Sequence, residues 1–238
     1  RDSYGAELQE EIPEVDAFFG KFDWKGVLER MGEHFDERIR NQRVLTTPDH
    51  YAYLKISEGC NRTCSYCAIP IMTGKHKSRD FEELLEECRA LVKGGVKEIL
   101  VVAQDLTYYG IDLYGKNRLA ELIGRIADIE GLEWIKLHYA YPAGFPLELL
   151  TVMRERPNVC KYLDIALQHC SDHMLQQMRR GISKKQTIEL IRKIRQEVPG
   201  IFIRTTLMTG HPGETAEDFE ELCEFVREMR FERLGVFP

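Results

Sequence analysis

Three of the seven cysteines, Cys60, Cys64 and Cys67, fall within eight residues at the spacing C-x3-C-x2-C. Thiolates are soft ligands that suit zinc and iron–sulfur clusters, and three of them on one loop can converge on one metal centre. Disulfide pairing would strand one of the three. A structural zinc is nearly always closed by four ligands, and His76 is the one nearby candidate for the fourth. An iron–sulfur cubane has four irons, so three thiolates leave one iron open to bind something else. A small zinc or disulfide loop and an open cubane both satisfy the residues at this point. The four remaining cysteines, Cys88, Cys160, Cys170 and Cys223, are scattered singles. An odd total in that pattern suits a reducing cytosol better than a secreted disulfide framework, which places the protein in the cytoplasm. Cys88 and Cys223 stand at apolar helix positions and read as buried packing residues.

The elements that must position these thiols follow an alternation of strands and helices. A strand over Tyr51–Ser57 runs directly into the cysteine loop. Asp80 and Glu83 make a capping box ahead of a helix whose apolar residues include Phe81, Leu84, Leu85, Cys88 and Leu91, ended by Gly94–Gly95. Ile99–Ala103 is a continuous apolar run, the pattern of a parallel strand buried on both faces. Further strands are expected over Trp134–Tyr139, Tyr162–Leu167, Ile201–Met208 and Leu234–Phe237. Helices are expected over Leu119–Ile129, Pro146–Glu155, Ser171–Arg179, Ser183–Val198 and Thr215–Met229. Six strands separated by helical crossovers imply right-handed βαβ units. Six is short of the eight of a closed barrel, so the expected fold is α/β, an open partial (β/α)6 barrel.

The first 47 residues read differently. They suggest a helix over Tyr4–Glu11 ended by Pro13, a strand over Val15–Gly20, a helix over Trp24–Met31, and a linker at Thr46–Pro48. The expectation is that residues 1–47 are the end of a preceding domain and its linker, and that 48–238 form one domain. Hydrophobic residues at 43% and charged residues at 30% are ordinary for a globular domain. No apolar run approaches the roughly 18 residues of a membrane span, and nothing near Arg1 has the form of a signal peptide. A net charge of −6 argues against direct binding of nucleic acid by this chain.

In open parallel sheets, ligands bind at the C-terminal ends of the strands, and polar residues do stand there. Strand two ends at Gln104–Asp105, strand four at Gln168–His169, and strand five carries Arg204. Each has a structural alternative: Asp105 as a turn cap, Gln168 as a partner for backbone groups, Arg204 as half of an ion pair. Their shared location points Gln104, Asp105, Gln168 and Arg204 toward ligand binding, while His169, Cys170 and His211 are unassigned. Gly210–Thr215 lacks the G-x-x-x-x-G-K-[ST] phosphate-loop pattern and is expected to be a tight turn into a helix capped by Thr215 and Asp218. Lys75, His76, Lys77 and Arg79 are expected to form a solvated rim.

C-x3-C-x2-C with Tyr66 just before the third cysteine resembles the signature of the radical S-adenosylmethionine (SAM) enzymes. The runs Lys55–Cys60, Ala68–Ile69–Pro70, Ser78–Arg79, Ala103–Gln104–Asp105, Tyr109–Tyr114, Gln168–Asp172, Met178–Arg180 and Gly210–Thr215 further resemble the methylthiotransferases of that superfamily, over residues 50–238. Ala103 and the Tyr109–Tyr114 run are closer to the branch that modifies a ribosomal protein than to the tRNA-modifying branch.

The resemblance implies that Cys60, Cys64 and Cys67 hold a 4Fe–4S cluster whose fourth iron chelates SAM. Tyr66 would flank the adenine, and Gln104, Asp105, Gln168 and Arg204 would hold the methionine and ribose portions. A flavodoxin- or ferredoxin-type donor would supply an electron, and a 5′-deoxyadenosyl radical would take hydrogen from the β-carbon of an aspartate on a small-subunit ribosomal protein, where a methylthio group is attached. The family's second 4Fe–4S cluster sits in an N-terminal domain whose cysteine triplet is not in these residues, so the expectation is a radical-domain fragment.

Overall fold

The computed structural model describes residues 5–20, 23–34, 36 and 43–238. Its centre is a sheet of six parallel strands: β1 (Tyr51–Lys55), β2 (Glu98–Val102), β3 (Trp134–Ala140), β4 (Val159–Gln168), β5 (Phe202–Met208) and β6 (Arg233–Phe237). The strands pair in sequence order, so β1 and β6 are the two edges and the sheet is an open α/β barrel segment, as expected. Register is set by the apolar pattern, with Leu54 opposite Val101, Val101 opposite Leu137, and Leu163 opposite Ile203. A slip of one residue would turn each of these side chains to the other face.

Six crossover helices cover the sheet: α1 (Phe81–Lys93), α2 (Leu119–Ala127), α3 (Glu148–Glu155), α4 (Asp172–Gln177), α5 (Lys184–Glu197) and α6 (Ala216–Met229). Leu84, Leu85 and Cys88 of α1, Leu122, Ile123 and Ile126 of α2, Ile191 and Ile194 of α5, and Leu222 and Phe225 of α6 join the strand residues in one core. Fully burying each such side chain contributes about 1.5–3 kcal/mol. Asp80 caps α1 by accepting from the N–H groups of Glu82 and Glu83. Glu83 does not complete the expected box; its carboxylate takes Arg79 at 3.0 Å. The expected pair at α6 does form, with Thr215 and Asp218 satisfying each other's backbone N–H.

Three expectations are corrected. Residues 15–20 are irregular rather than a strand, although helices at Gly5–Glu11 and Trp24–Arg30 stand where expected. The strand into the cysteine loop stops at Lys55. The chain then turns into a short ribbon in which Ser57–Glu58 pairs antiparallel with Lys77–Ser78, closing the loop at its base. The basic run is not a uniformly solvated rim either. His76 is buried, and Arg79 pairs with Glu83 and Glu87. The alternation of charge at 75–79 is that of a ribbon strand with one face turned inward.

The Tyr109–Tyr114 run braces this ribbon from behind. Asp112 accepts from the Ser78 N–H at 2.8 Å and its hydroxyl at 2.6 Å. The Tyr114 hydroxyl accepts from the Phe81 N–H, and the Tyr109 hydroxyl donates to the Arg79 carbonyl.

Candidate cofactor site

The cysteine loop lies over the C-terminal ends of β2, β3 and β4. Gly59 makes its entry possible: φ is +74°, and a Cβ there would sit 2.2 Å from the Lys75 carbonyl oxygen. Only glycine tolerates that conformation and that approach together. The Cys60 N–H then bonds the Gly74 carbonyl across the loop base.

Cys60, Cys64 and Cys67 open into one cavity of about 160 Å³, with Arg62, Tyr66, Gln104, Tyr139, Ala140, Tyr141, Ala166, Gln168 and Arg180 on its walls. All three cysteines are free thiols. Burial pushes the Cys60 thiol up, against the Arg62 N–H that bonds its sulfur at 3.4 Å. Burial also pushes the Tyr66 and Tyr141 phenols up.

Two of the wall residues, Tyr139 and Gln168, have left-handed backbones, with φ of 67° and 71°. Both lie at register shifts, between β3 and β4 and between β4 and β5. Non-glycine residues in this region cost roughly 1–3 kcal/mol each and persist where the surroundings impose them. The strain turns these two side chains toward the cavity.

Two side-chain oxygens on the wall await a partner. The Gln104 and Gln168 side-chain oxygens are buried with no hydrogen bond. Gln104 is oriented by its own amide N–H group, which donates to Glu58 at 3.3 Å and leaves the carbonyl oxygen free.

The other expected site residues stand apart. Asp105, 1% exposed, caps the turn at Leu106–Tyr108 and pairs with Arg62 at 2.9 Å, so it reaches the cavity only through Arg62. Arg204 pairs with Asp164 at 2.8 Å, off the cavity wall. In both cases the structural alternative is what forms: Asp105 caps its own turn and meets Arg62 of the cysteine loop, and β4 presents Asp164 to Arg204.

His169 is fully buried. Its Nδ1 accepts from the Ser171 N–H and its Nε2 faces Glu214 at 3.3 Å, a link that holds the Gly210–Thr215 turn. His211 reaches the cysteine loop, with Nε2 3.0 Å from the Ser65 hydroxyl. Cys170 is buried, and desolvation pushes its thiol up to about 12. Cys223 is half-buried beside an apolar groove rather than in the core.

Three wall residues carry no signal by spacing. Arg62 lies 3.9 Å over the Tyr141 ring and donates to the Ala143 carbonyl. Arg180, 3% exposed, lies 4.2 Å over the same ring. It donates to the Cys64 sulfur at 3.3 Å, to the Tyr66 hydroxyl at 2.9 Å and to the Ala166 carbonyl. The Tyr141 hydroxyl in turn donates to the Arg180 carbonyl at 2.8 Å. The run Met178–Arg180 carried part of the family resemblance, but nothing in it assigned Arg180 a role.

The donor set fits a cluster better than a zinc ion. Among the described residues no three His, Cys, Asp or Glu side chains gather tightly enough to hold a single metal ion. His76 turns to the Ser78 hydroxyl at 3.2 Å instead of the thiols. Soft thiols spread around a shared cavity suit the larger iron–sulfur unit.

Comparison with known proteins agrees. The Radical SAM superfamily matches residues 54–226. The chain is 66% identical over 99% of its length to the ribosomal protein uS12 methylthiotransferase RimO of Porphyromonas gingivalis. It is 65% identical to that of Bacteroides fragilis and 52% to that of Cytophaga hutchinsonii. The chain spans about half the length of these curated relatives, 54–55%. Among solved structures, the radical SAM methyltransferase TsrM from Kitasatospora setae superposes with a TM-score of 0.64 at 17% identity, over 82% of this chain and 39% of its own. Coproporphyrinogen III oxidase HemN of Escherichia coli superposes with a TM-score of 0.57 at 20% identity, over 85% and 47%. These distant likenesses concern the fold.

Proposed function

Because this chain belongs to the radical SAM superfamily, we propose that it is the radical-generating domain of a methylthiotransferase acting on ribosomal protein uS12. The observation that carries the proposal is the convergence of three thiols and two unpartnered glutamine oxygens on one cavity at the strand ends, in a chain 66% identical to a uS12 methylthiotransferase. Residues 48–238 would be the radical domain and 1–47 the tail of a preceding one, where the second 4Fe–4S cluster is expected.

In this proposal Cys60, Cys64 and Cys67 ligate a 4Fe–4S cluster as thiolates. When bound, that cluster supplies one electron to the sulfonium of SAM. Gln104 and Gln168 present carbonyl oxygens, acceptors suited to the ammonium group of the methionine portion. Tyr66, its hydroxyl held by Arg180, gives a fixed ring against which adenine stacks. Asp105 orients Arg62 over the Tyr141 ring and so acts at one remove. Arg204, held by Asp164, is left to support β4 and β5.

A second space of about 510 Å³, lined by Lys55, Ile69, Val102, Ala103, Gln104 and Tyr139, shares two residues with the thiol cavity. Its mostly apolar wall would offer water few polar contacts beside a substrate side chain brought next to SAM. The substrate aspartate would enter there. A flavodoxin- or ferredoxin-type donor is the expected electron source, and a ribosomal substrate places the protein in the cytoplasm. Among the described residues no helix is long and apolar enough to cross a membrane. The net charge of −6 favours a protein partner over direct contact with RNA.

Anaerobic reconstitution with iron and sulfide, followed by dithionite and SAM, tests the proposal. About four irons per chain and release of 5′-deoxyadenosine are expected, with release increased by small ribosomal subunits containing uS12. A colourless protein holding stoichiometric zinc would sink it.

A further inference from the structure

Two guanidinium groups stack on Tyr141, and only one of them has a counter-charge. Arg62 is matched by Asp105, Nε to carboxylate at 2.9 Å. Arg180 is buried to 3% exposure, and among the described residues no carboxylate pairs with it. Its donors reach the Cys64 sulfur, the Tyr66 hydroxyl and the Ala166 carbonyl, and its Nε has no partner at all. Buried charges are ordinarily paired, because an uncompensated one costs several kcal/mol of desolvation. An arginine cannot shed its proton to escape that cost.

The cation is also held in place from several sides. Arg179, immediately before it, is left-handed with φ 56°. The Arg180 N–H donates to the Leu175 carbonyl, and its own carbonyl takes the Tyr141 hydroxyl. The side chain is therefore fixed over the thiol cavity by the end of α4, by Tyr141 just beyond β3 and by the Ala166 carbonyl of β4, in addition to its contacts with the cysteine loop.

We propose that Arg180 is the counter-charge of the metal centre held by Cys64, and that it sets the reduction potential of that centre. The inference rests on the cluster assignment proposed above. A cluster that gains one electron becomes more negative by one charge. A fixed cation 3.3 Å from a ligand sulfur favours the reduced form over the oxidised one and so raises the potential. Hydrogen bonds to the sulfurs and local net charge are the levers by which proteins set such potentials. Asp105 works in the opposite sense: it cancels Arg62 near Cys60, so the local field is left to Arg180.

The test is a redox titration of the anaerobically reconstituted protein, following the paramagnetic signal of the reduced cluster, for wild type, Arg180→Gln, Arg180→Lys and Asp105→Asn. For Arg180→Gln, the ratio of reduced to oxidised cluster at the wild-type midpoint should fall at least tenfold, a shift of about 59 mV to more negative potential for one electron. Arg180→Lys keeps the charge and should stay closer to wild type. Asp105→Asn removes a negative charge and should move the midpoint the other way.

An Arg180→Gln protein with full iron and a wild-type midpoint overturns the proposal, as does Arg180→Lys shifted as far as Arg180→Gln. If Arg180→Gln takes up no cluster, Asp105→Asn decides: a midpoint at or below wild type overturns the proposal and a raised one supports it. Wild-type protein that takes up no iron fails earlier, and sinks the cluster assignment together with this inference.

Discussion

At the scale of single residues, the proposed function rests on three thiols and two glutamine oxygens. Cys64→Ala removes a ligand that a cubane cannot replace, so iron after reconstitution should drop from about four per chain to well below stoichiometric, read by iron assay and absorbance. Gln104→Leu and Gln168→Leu should leave iron content unchanged and weaken SAM binding. One lost hydrogen bond to an ammonium is worth about 1.5–3 kcal/mol, or roughly tenfold or more in Kd, measurable by equilibrium dialysis. Equal affinity in both variants would remove these oxygens from the binding site. The cysteines were legible in the sequence because C-x3-C-x2-C is a short local spacing. Arg180 and Tyr141 were not, since they reach Cys64 from 116 and 77 residues away, and no local pattern records such a contact.

At the scale of elements, the loop depends on its hinge and the final crossover on its cap. Gly59→Ala combines a left-handed backbone, costing about 1–2 kcal/mol, with the collision against the Lys75 carbonyl. Its measured loss of stability should exceed 2 kcal/mol, and cluster uptake should fall with it. Asp218 shows how a cap becomes a pH dependence. Burial would raise its pKa, but the Ser171 hydroxyl, His173 and the Thr215 N–H and hydroxyl outweigh that and hold the carboxyl well below its usual range.

A carboxyl with a depressed folded-state pKa contributes stability that is fully present above the unfolded value near 3.9 and is lost as pH falls below it. Asp218→Asn should therefore cost about 1–2 kcal/mol at pH 7, and urea denaturation should show the gap from wild type narrowing once the pH drops under about 4. The Thr215–Asp218 pairing was readable from three-residue spacing. The ribbon of Ser57–Glu58 with Lys77–Ser78 was not, because two-residue strands leave no periodicity.

At the scale of the whole molecule, the cluster would join the cysteine loop to Arg180, Tyr141 and the ends of the sheet. A ligand that binds only the folded chain stabilises it by mass action, and metal binding is folding free energy when the site needs the fold. Reconstituted protein should melt several degrees above the metal-free form, and the difference should vanish in Cys64→Ala; calorimetry under anaerobic conditions checks both.

The order of strands, the parallel sheet and the thiol loop were determined by the sequence alone. Each depends on a local period or spacing: apolar runs such as Ile99–Val102, helical stripes such as Leu84–Leu85–Cys88, and C-x3-C-x2-C. Tertiary structure alone decided which polar residues face the cavity. Asp105 and Gln104 are neighbours at one strand end, as are Gln168 and His169. Yet one of each pair opens to the cavity and the other turns to an internal partner. That choice follows from bulges, left-handed residues and the charges that adjacent strands present, and these exist only once the sheet has formed.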